Sequence, residues 1–340
     1  MFEVPIKVKR GIQCALFVSF SAFVCGCAGG DIGCFNDVDH EETPLDSWGG
    51  GDPEATEPFL PLTNEVALSQ DGVLWVLNIQ NDLKRTVRGE TKSNVEPLMS
   101  NKGLFVACVN YGNYPNATPV ITTEAMIPLS LADNFKETGR PALDPRPRIA
   151  YALIPIKRGE EATYRILKTF PDRRTPEILT DGTTDVHDPS PSPSNTQYVY
   201  ARTLSANRNE LYIDSLTAGP DAGTLLYSPP AGHNVGLPFW GWEGGAGMIY
   251  FQINNPDGSS SIAKIRPDGS SFAVIKETTG VGGGGGLNGS PVQVRNGRIV
   301  FHSFDSGNMD IWSMEPDGTD LKNHTRSPGV QERMRNFFQS

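Results

Sequence analysis

Short apolar runs separated by Gly, Pro, Asp and Asn recur along most of this chain, and no stretch sustains apolar residues at i, i+3, i+4 and i+7. The pattern predicts many short strands. The clearest stretch is Asp310-Ile-Trp-Ser-Met-Glu-Pro-Asp-Gly-Thr-Asp-Leu321, with Trp312 and Met314 at alternate positions before Pro316-Asp317-Gly318. It reads as a strand entering a tight turn, because Pro presets φ, Asp bonds its own backbone and Gly accepts positive φ. The phrase returns at Ile262-Ala-Lys-Ile-Arg-Pro-Asp-Gly-Ser-Ser271. Such recurrence points to a repeat.

Three units begin with a Pro-bearing segment followed by an apolar strand, anchored at Pro191, Pro238 and Pro291, 47 and 53 residues apart. Weaker copies begin at Asp144-Pro-Arg-Pro-Arg-Ile-Ala-Tyr-Ala-Leu153, Glu65-Val-Ala-Leu-Ser-Gln-Asp-Gly-Val-Leu-Trp-Val-Leu77 and Val95-Glu-Pro-Leu-Met-Ser-Asn-Lys-Gly-Leu-Phe-Val-Ala107. The last two start about thirty residues apart, short for two full blades. The expectation is an all-β chain whose residues 63–340 form a β-propeller of about six four-stranded blades, within a range of five to seven. Glu332-Arg-Met-Arg-Asn-Phe-Phe-Gln-Ser340 resembles the start of a further unit. It either closes the ring by completing the first blade or is a unit cut short. The 36 Gly and 27 Pro suit this turn-rich reading and argue against a helical protein.

The N-terminus follows another pattern. Lys7, Lys9 and Arg10 precede an apolar run from Gly11 to Val24, too short for a confident membrane span, so residues 1–26 read as an export leader. The run ends on Val24-Cys25-Gly26-Cys27, which resembles the bacterial lipobox. The resemblance implies lipid on Cys27 and, with Ala28 following it, the outer membrane of a Gram-negative envelope. Two or more acyl chains would hold the protein at a membrane without a transmembrane helix. Residues 27–62, rich in Gly, Asp, Glu and Pro, read as a flexible acidic tether. Beyond the leader and Cys27, Cys34 and Cys108 remain as one candidate disulfide in an oxidising compartment.

Removing Lys7, Lys9, Arg10 and Glu3 with the leader leaves 26 basic against 38 acidic residues, taking the net charge from −10 to −12. An acidic surface argues against nucleic acid as a partner.

Ala67-Leu-Ser-Gln-Asp-Gly72, Ile178-Leu-Thr-Asp-Gly182 and Ser303-Phe-Asp-Ser-Gly-Asn-Met-Asp-Ile-Trp-Ser-Met-Glu-Pro-Asp-Gly318 together resemble TolB-type propeller repeats. The resemblance covers residues 140–340 well and 63–139 poorly; Ser192-Pro-Ser-Asn195 lacks the Asp-Gly of the pattern. It implies a WD-like ring of blades that presents loops around a central channel.

Catalytic signatures are sparse. The sequence has no Gly-x-Ser-x-Gly elbow, no Gly-x-x-x-x-Gly-Lys-Ser/Thr loop and no His-Glu-x-x-His pair. The glycines from Gly282 to Gly286 read as a loop, and Asp305, Asn308 and Asp310 as turn chemistry before a calcium site. His187 and His233 precede the first strands of their units, while His302 follows an apolar strand at the position of Gln252. This resembles propellers such as oligogalacturonide lyases, which implies a divalent metal held by His and Gln around the channel. Trp240 and Trp242 alternate beside a Gly-rich turn, suiting either core packing or stacking on a sugar. The preferred expectation is a lipid-anchored, non-catalytic module without a cofactor, binding envelope proteins or glycans. The alternative is a metal-dependent polysaccharide lyase.

Overall fold

The structure, a computed structural model, describes residues 64–70, 73–86, 94–99, 106–110, 118–122, 126–128, 135–143, 149–155, 165–169, 177–181, 184–194, 196–205, 208–217, 223–277 and 287–334. All belong to the compact unit Leu45–Ser340. The leader, Cys27, Cys34 and all of the expected tether lie outside them.

The described residues form six four-stranded sheets. The first contains β1 (Glu65–Gln70), β2 (Val73–Asn78) and β3 (Leu83–Thr86); the second, β4 (Asn94–Met99), β5 (Val106–Asn110), β6 (Thr118–Thr122) and β7 (Met126–Pro128). The third contains β8 (Phe135–Leu143), β9 (Ile149–Pro155), β10 (Arg165–Thr169) and β11 (Glu177–Ile178). The fourth runs through β12 (Val186–Pro191), β13 (Gln197–Ser205), β14 (Arg208–Ser215) and β15 (Thr224–Tyr227). The fifth is β16 (Asn234–Glu243), β17 (Ala246–Asn254), β18 (Ser260–Ile265) and β19 (Ala273–Lys276); the sixth, β20 (Asn288–Gln293), β21 (Ile299–Ser303), β22 (Asp310–Met314) and β23 (Lys322–Asn323). Each is an antiparallel meander. The first strands of successive sheets touch one another, β4 to β8, β8 to β12, β12 to β16 and β16 to β20, and so line the axis of a β-propeller.

The fourth strand of the first sheet comes from the far end of the chain. β24 (Glu332–Arg333) pairs antiparallel with β1, Gln70 opposite Glu332 and Ser69 opposite Arg333, giving the order β24-β1-β2-β3. This accounts for the crowded starts at Glu65 and Val95. The run Glu65–Leu77 holds the second and third strands of its sheet rather than the first, so the N-terminal unit is short by one strand.

Five axial strands share an irregularity. The register shifts between Val95 and Leu98, Thr138 and Pro141, His187 and Ser190, Gly236 and Phe239, and Gly289 and Val292. In four of the five the skipped residues include a proline, Pro97, Pro189, Pro238 or Pro291, which cannot donate to the ladder and is accommodated by the bulge; in β8 they are Gly139 and Arg140. Asp188, Leu237 and Ser290, each directly before a proline, take φ of 54°. The equivalent prolines are therefore Pro189, Pro238 and Pro291, which corrects the sequence-based anchor at Pro191 by one alternation of the strand.

Apolar residues from facing sheets fill the gaps between blades. Val199, Leu211, Ile249 and Phe251 join the fourth and fifth sheets, and Met248, Tyr250, Phe301 and Met314 the fifth and sixth. Val66, Leu68 and Leu77 meet Val292, Val300 and Ile311 where the sixth sheet meets the first.

The turn that recurs in the sequence appears three times, at Asn255–Ser259, Arg266–Ser270 and Glu315–Thr319, each closed by two backbone hydrogen bonds of 2.8–3.1 Å. In each, the Asp carboxylate accepts from the backbone N–H, at 2.9 Å, and the hydroxyl of the Ser or Thr two residues on. These bonds hold Asp257, Asp268 and Asp317 below the usual carboxylate pKa. Gly318 has a further task. At φ 89°, it lies against the Ile275 carbonyl of the preceding sheet's outer strand, where no Cβ would fit.

Candidate functional site at the axial strands

The axial strands β12 and β20 carry polar side chains that are buried and bonded to their neighbours. Asp188, fully buried, accepts from the Leu237 backbone N–H at 3.1 Å and lies 2.9 Å from His187 Nδ1. Ser190 Oγ accepts from the Trp240 N–H at 3.0 Å. Gln293 grips the next strand at both ends: its Oε1 accepts from the Trp242 N–H and its Nε2 donates to the Trp242 carbonyl, each at 2.8 Å. Ser260 and Asn288 exchange further bonds between the fifth and sixth sheets. These contacts fix the bulged backbone from blade to blade, since a buried polar group left unmatched is costly.

Gln252 and His302 occupy equivalent register positions, each opposite the glycine that precedes the bulge, Gly236 and Gly289. Both side chains are buried and both converge on Gly289. A Cβ there would strike Gln252 Oε1 and lie 2.6 Å from His302 Nε2. Gln252 Nε2 donates to Asn254 Oδ1 at 2.6 Å, whereas its Oε1 has no hydrogen-bond partner among the described residues.

The three histidines singled out in the sequence are not equivalent. Once Pro189 is aligned with Pro238, the counterpart of His187 is Gly236, and His233 lies three residues earlier at the entry to β16, its Nδ1 3.3 Å from the Ala231 carbonyl. Among the described residues, no three His, Cys, Asp or Glu side chains are gathered closely enough to hold a metal ion. Trp240 is packed in the core between the fourth and fifth sheets, while Trp242 is partly exposed. Cys108 lies on β5 opposite Val120; its candidate partner Cys34 is outside the described residues.

Asp310 is a hub of donors. Fully buried, it accepts from Ser306 Oγ at 2.6 Å, Asn323 Nδ2 at 2.8 Å and Asn308 Nδ2 at 3.2 Å, while Asp305 pairs with Lys276 at 2.6 Å. Hydrogen bonding thus accounts for this trio of residues.

Sequence reasoning missed one constellation. His324, directly after β23, places Nε2 2.8 Å from Ser313 Oγ and Nδ1 2.6 Å from Asp82 Oδ1. The order Ser-His-Asp matches that of hydrolytic triads. Here, though, Ser313 is fully buried and its Oγ also accepts from Arg298 Nε at 2.9 Å, so no substrate carbonyl can reach it. The only local signal is a polar Lys322-Asn-His324 after a turn.

Comparison with known structures places this architecture among β-propellers. The chain is similar to putative TolB from Agrobacterium tumefaciens, at 17% identity over 78% of this chain and 93% of that one, with a TM-score of 0.62. It is similar to TolB from Acinetobacter baumannii at 11% identity, 80% and 66% coverage and a TM-score of 0.62. A third similar structure is the β-propeller domain of the Trilobed protease from Pyrococcus furiosus, described as having an open velcro topology, at 12% identity, 81% and 85% coverage and a TM-score of 0.50. No protein-family model and no curated protein matches the sequence. The fold is that of a TolB-like β-propeller.

Proposed function

We propose that the chain is a non-catalytic propeller that binds envelope proteins or glycans, exported by residues 1–26, lipidated on Cys27 and joined to the membrane by a tether over 27–62. The observation that carries this reading is the structural likeness to TolB over most of the chain. The axial polar residues support it, since Asp188, Ser190 and Gln293 are committed to neighbouring backbone. Binding then falls to the loops around the axis. Chemical crosslinking in intact envelopes should capture a defined protein or glycan, and Cys27→Ser should move the protein from membrane to soluble fractions. Unchanged fractionation would refute the anchor; absence of any specific crosslink would refute the binding role.

A second reading, a metal-dependent polysaccharide lyase, is favoured by the convergence of Gln252 and His302 on Gly289. The pair offers one oxygen and one nitrogen donor, chemistry compatible with a divalent ion. Stoichiometric metal in the purified protein that disappears in a Gln252→Ala, His302→Ala double variant would support it. Metal-free protein after loading with Mn or Ca would exclude it.

A further inference from the structure

The seam where the ring closes is crossed by a directional chain of hydrogen bonds. Asp82 stands at φ 59° in the turn between β2 and β3 of the first sheet; Ser313, His324 and Arg298 all belong to the sixth. The His324 N–H donates to the Ile311 carbonyl at 2.8 Å, and its ring is only 1% exposed. Burial raises the Asp82 pKa, but hydrogen bonds from His324 and Lys322 outweigh it and hold the carboxyl below its usual range. As a carboxylate Asp82 can only accept, so the ring proton sits on Nδ1. Nε2 must then accept from the Ser313 hydroxyl, whose oxygen accepts in turn from Arg298 Nε. One tautomer of neutral His324 satisfies every group.

A second ring proton breaks this arrangement. Nε2–H and Arg298 Nε–H would both point at Ser313 Oγ, and the displaced Ser313 proton would have no solvent to turn to. The surroundings oppose it further: Lys322, two residues earlier on β23, and Arg298 from the β20–β21 turn are both cationic. Arg298 is itself held by Glu315 and Asp320, at 2.6 Å each. Across the seam stand Asp82, which favours the imidazolium, and Lys84, which is paired with the buried Glu332 of β24 at 2.6 Å. Burial is the largest influence and leaves the His324 pKa below its ordinary value.

We propose that His324 is an acid-sensitive latch on the ring: in mild acid the second ring proton breaks the bond to Ser313 and, because the closed seam holds the neutral ring, favours an open form in which residues 322–334 loosen and β24 unpairs from β1. The closure is the natural place to yield. β24 pairs through two residues, whereas the strand pairs within the fourth and fifth sheets run over longer registers. The segment between latch and strand hangs on Asp310 through Asn323, Thr325 and Ser327. A histidine that is neutral when the seam is closed and ordinary when it is open favours opening as pH falls below about 6.5, the unperturbed value. Within the window between the open and closed pKa values, the opening constant rises by up to about tenfold per pH unit.

Hydrogen exchange followed by mass spectrometry on the whole chain tests this, with rates corrected for the intrinsic pH dependence of amide exchange. Between neutral pH and about 5.5, within the latch window set by the histidine value, peptides covering β1–β3 and residues 322–334 should show that rise. Those covering β12–β14 should not. His324→Gln should abolish the pH step. Asp82→Asn, which leaves the ring in place, should speed exchange at neutral pH in the same peptides and extend the rise to lower pH before it levels. A rise spread evenly over all sheets, a step that survives His324→Gln, or an Asp82→Asn variant indistinguishable from the parent would each overturn the proposal. Should His324→Gln fail to fold, the parent and Asp82→Asn profiles still decide it.

Discussion

The three Pro-Asp-Gly turns provide an internally controlled test of how neighbouring blades are locked. Gly258, Gly269 and Gly318 have the same turn chemistry and φ of 81°, 81° and 89°, but different surroundings. A Cβ on Gly258 would meet nothing within 4 Å, one on Gly269 would stand 3.9 Å from the Leu226 carbonyl, and one on Gly318 would collide with the Ile275 carbonyl. Alanine at any of the three pays for the left-handed backbone, about 1–2 kcal/mol. At Gly318 it must also push the outer edge of the fifth sheet away from the sixth, adding about 1–3 kcal/mol by the measure of overpacked sites. Urea denaturation should therefore show Gly258→Ala and Gly269→Ala destabilised alike and Gly318→Ala clearly more, with unchanged m-values. Equal losses in all three variants would show that the turn against Ile275 yields freely, refuting the idea that it locks the blades.

Phe251→Ala removes a fully buried ring between the fourth and fifth sheets and should cost about 3–5 kcal/mol, read as a lowered denaturation midpoint. Gln293→Ala leaves both backbone groups of Trp242 without their partner and should cost about 1–3 kcal/mol, with faster amide exchange at Trp242. Burial, followed by the nearby Asp214 and Glu243 carboxylates, raises the phenol pKa values of Tyr200 and Tyr250 respectively. Their protonated forms stabilise the fold below the ordinary phenol value of about 10, and that stability is lost as pH rises above it. Phenolate absorbance should appear for these two only as the sheets unfold, and Tyr250→Phe should flatten the alkaline loss.

The architecture was legible because strand alternation and turn chemistry are local. The pairing of Phe301, Trp312 and Asn323 across β21, β22 and β23 follows from apolar runs and a Pro-Asp-Gly break that need no distant information. Register was less legible. In Asp188-Pro-Ser-Pro191 two prolines compete as the anchor, and only the bulge opposite Tyr200 identifies Pro189. That slip carried over to His187 and His233, which looked equivalent and are not. The equivalence of Gln252 and His302 survived because both sit on β-strands free of insertions, opposite glycines. His324 and Asp82 lie 242 residues apart in the chain, and no local pattern connects them.

The borrowed strand β24 also sets an order of events during biosynthesis. Lys84 meets Glu332 across 248 residues, so of the six described sheets the first to begin is the last to be finished. Until residue 333 arrives, the inner edge of β1 stands without its partner beside the buried Val66, Ala67 and Leu68, an exposed template for pairing with another chain. Contacts of such long sequence separation form slowly. Among the described strands the emerging polypeptide is thus most aggregation-prone at the earliest, and a chaperone or holding factor acting there has the edge of β1 as its natural point of engagement.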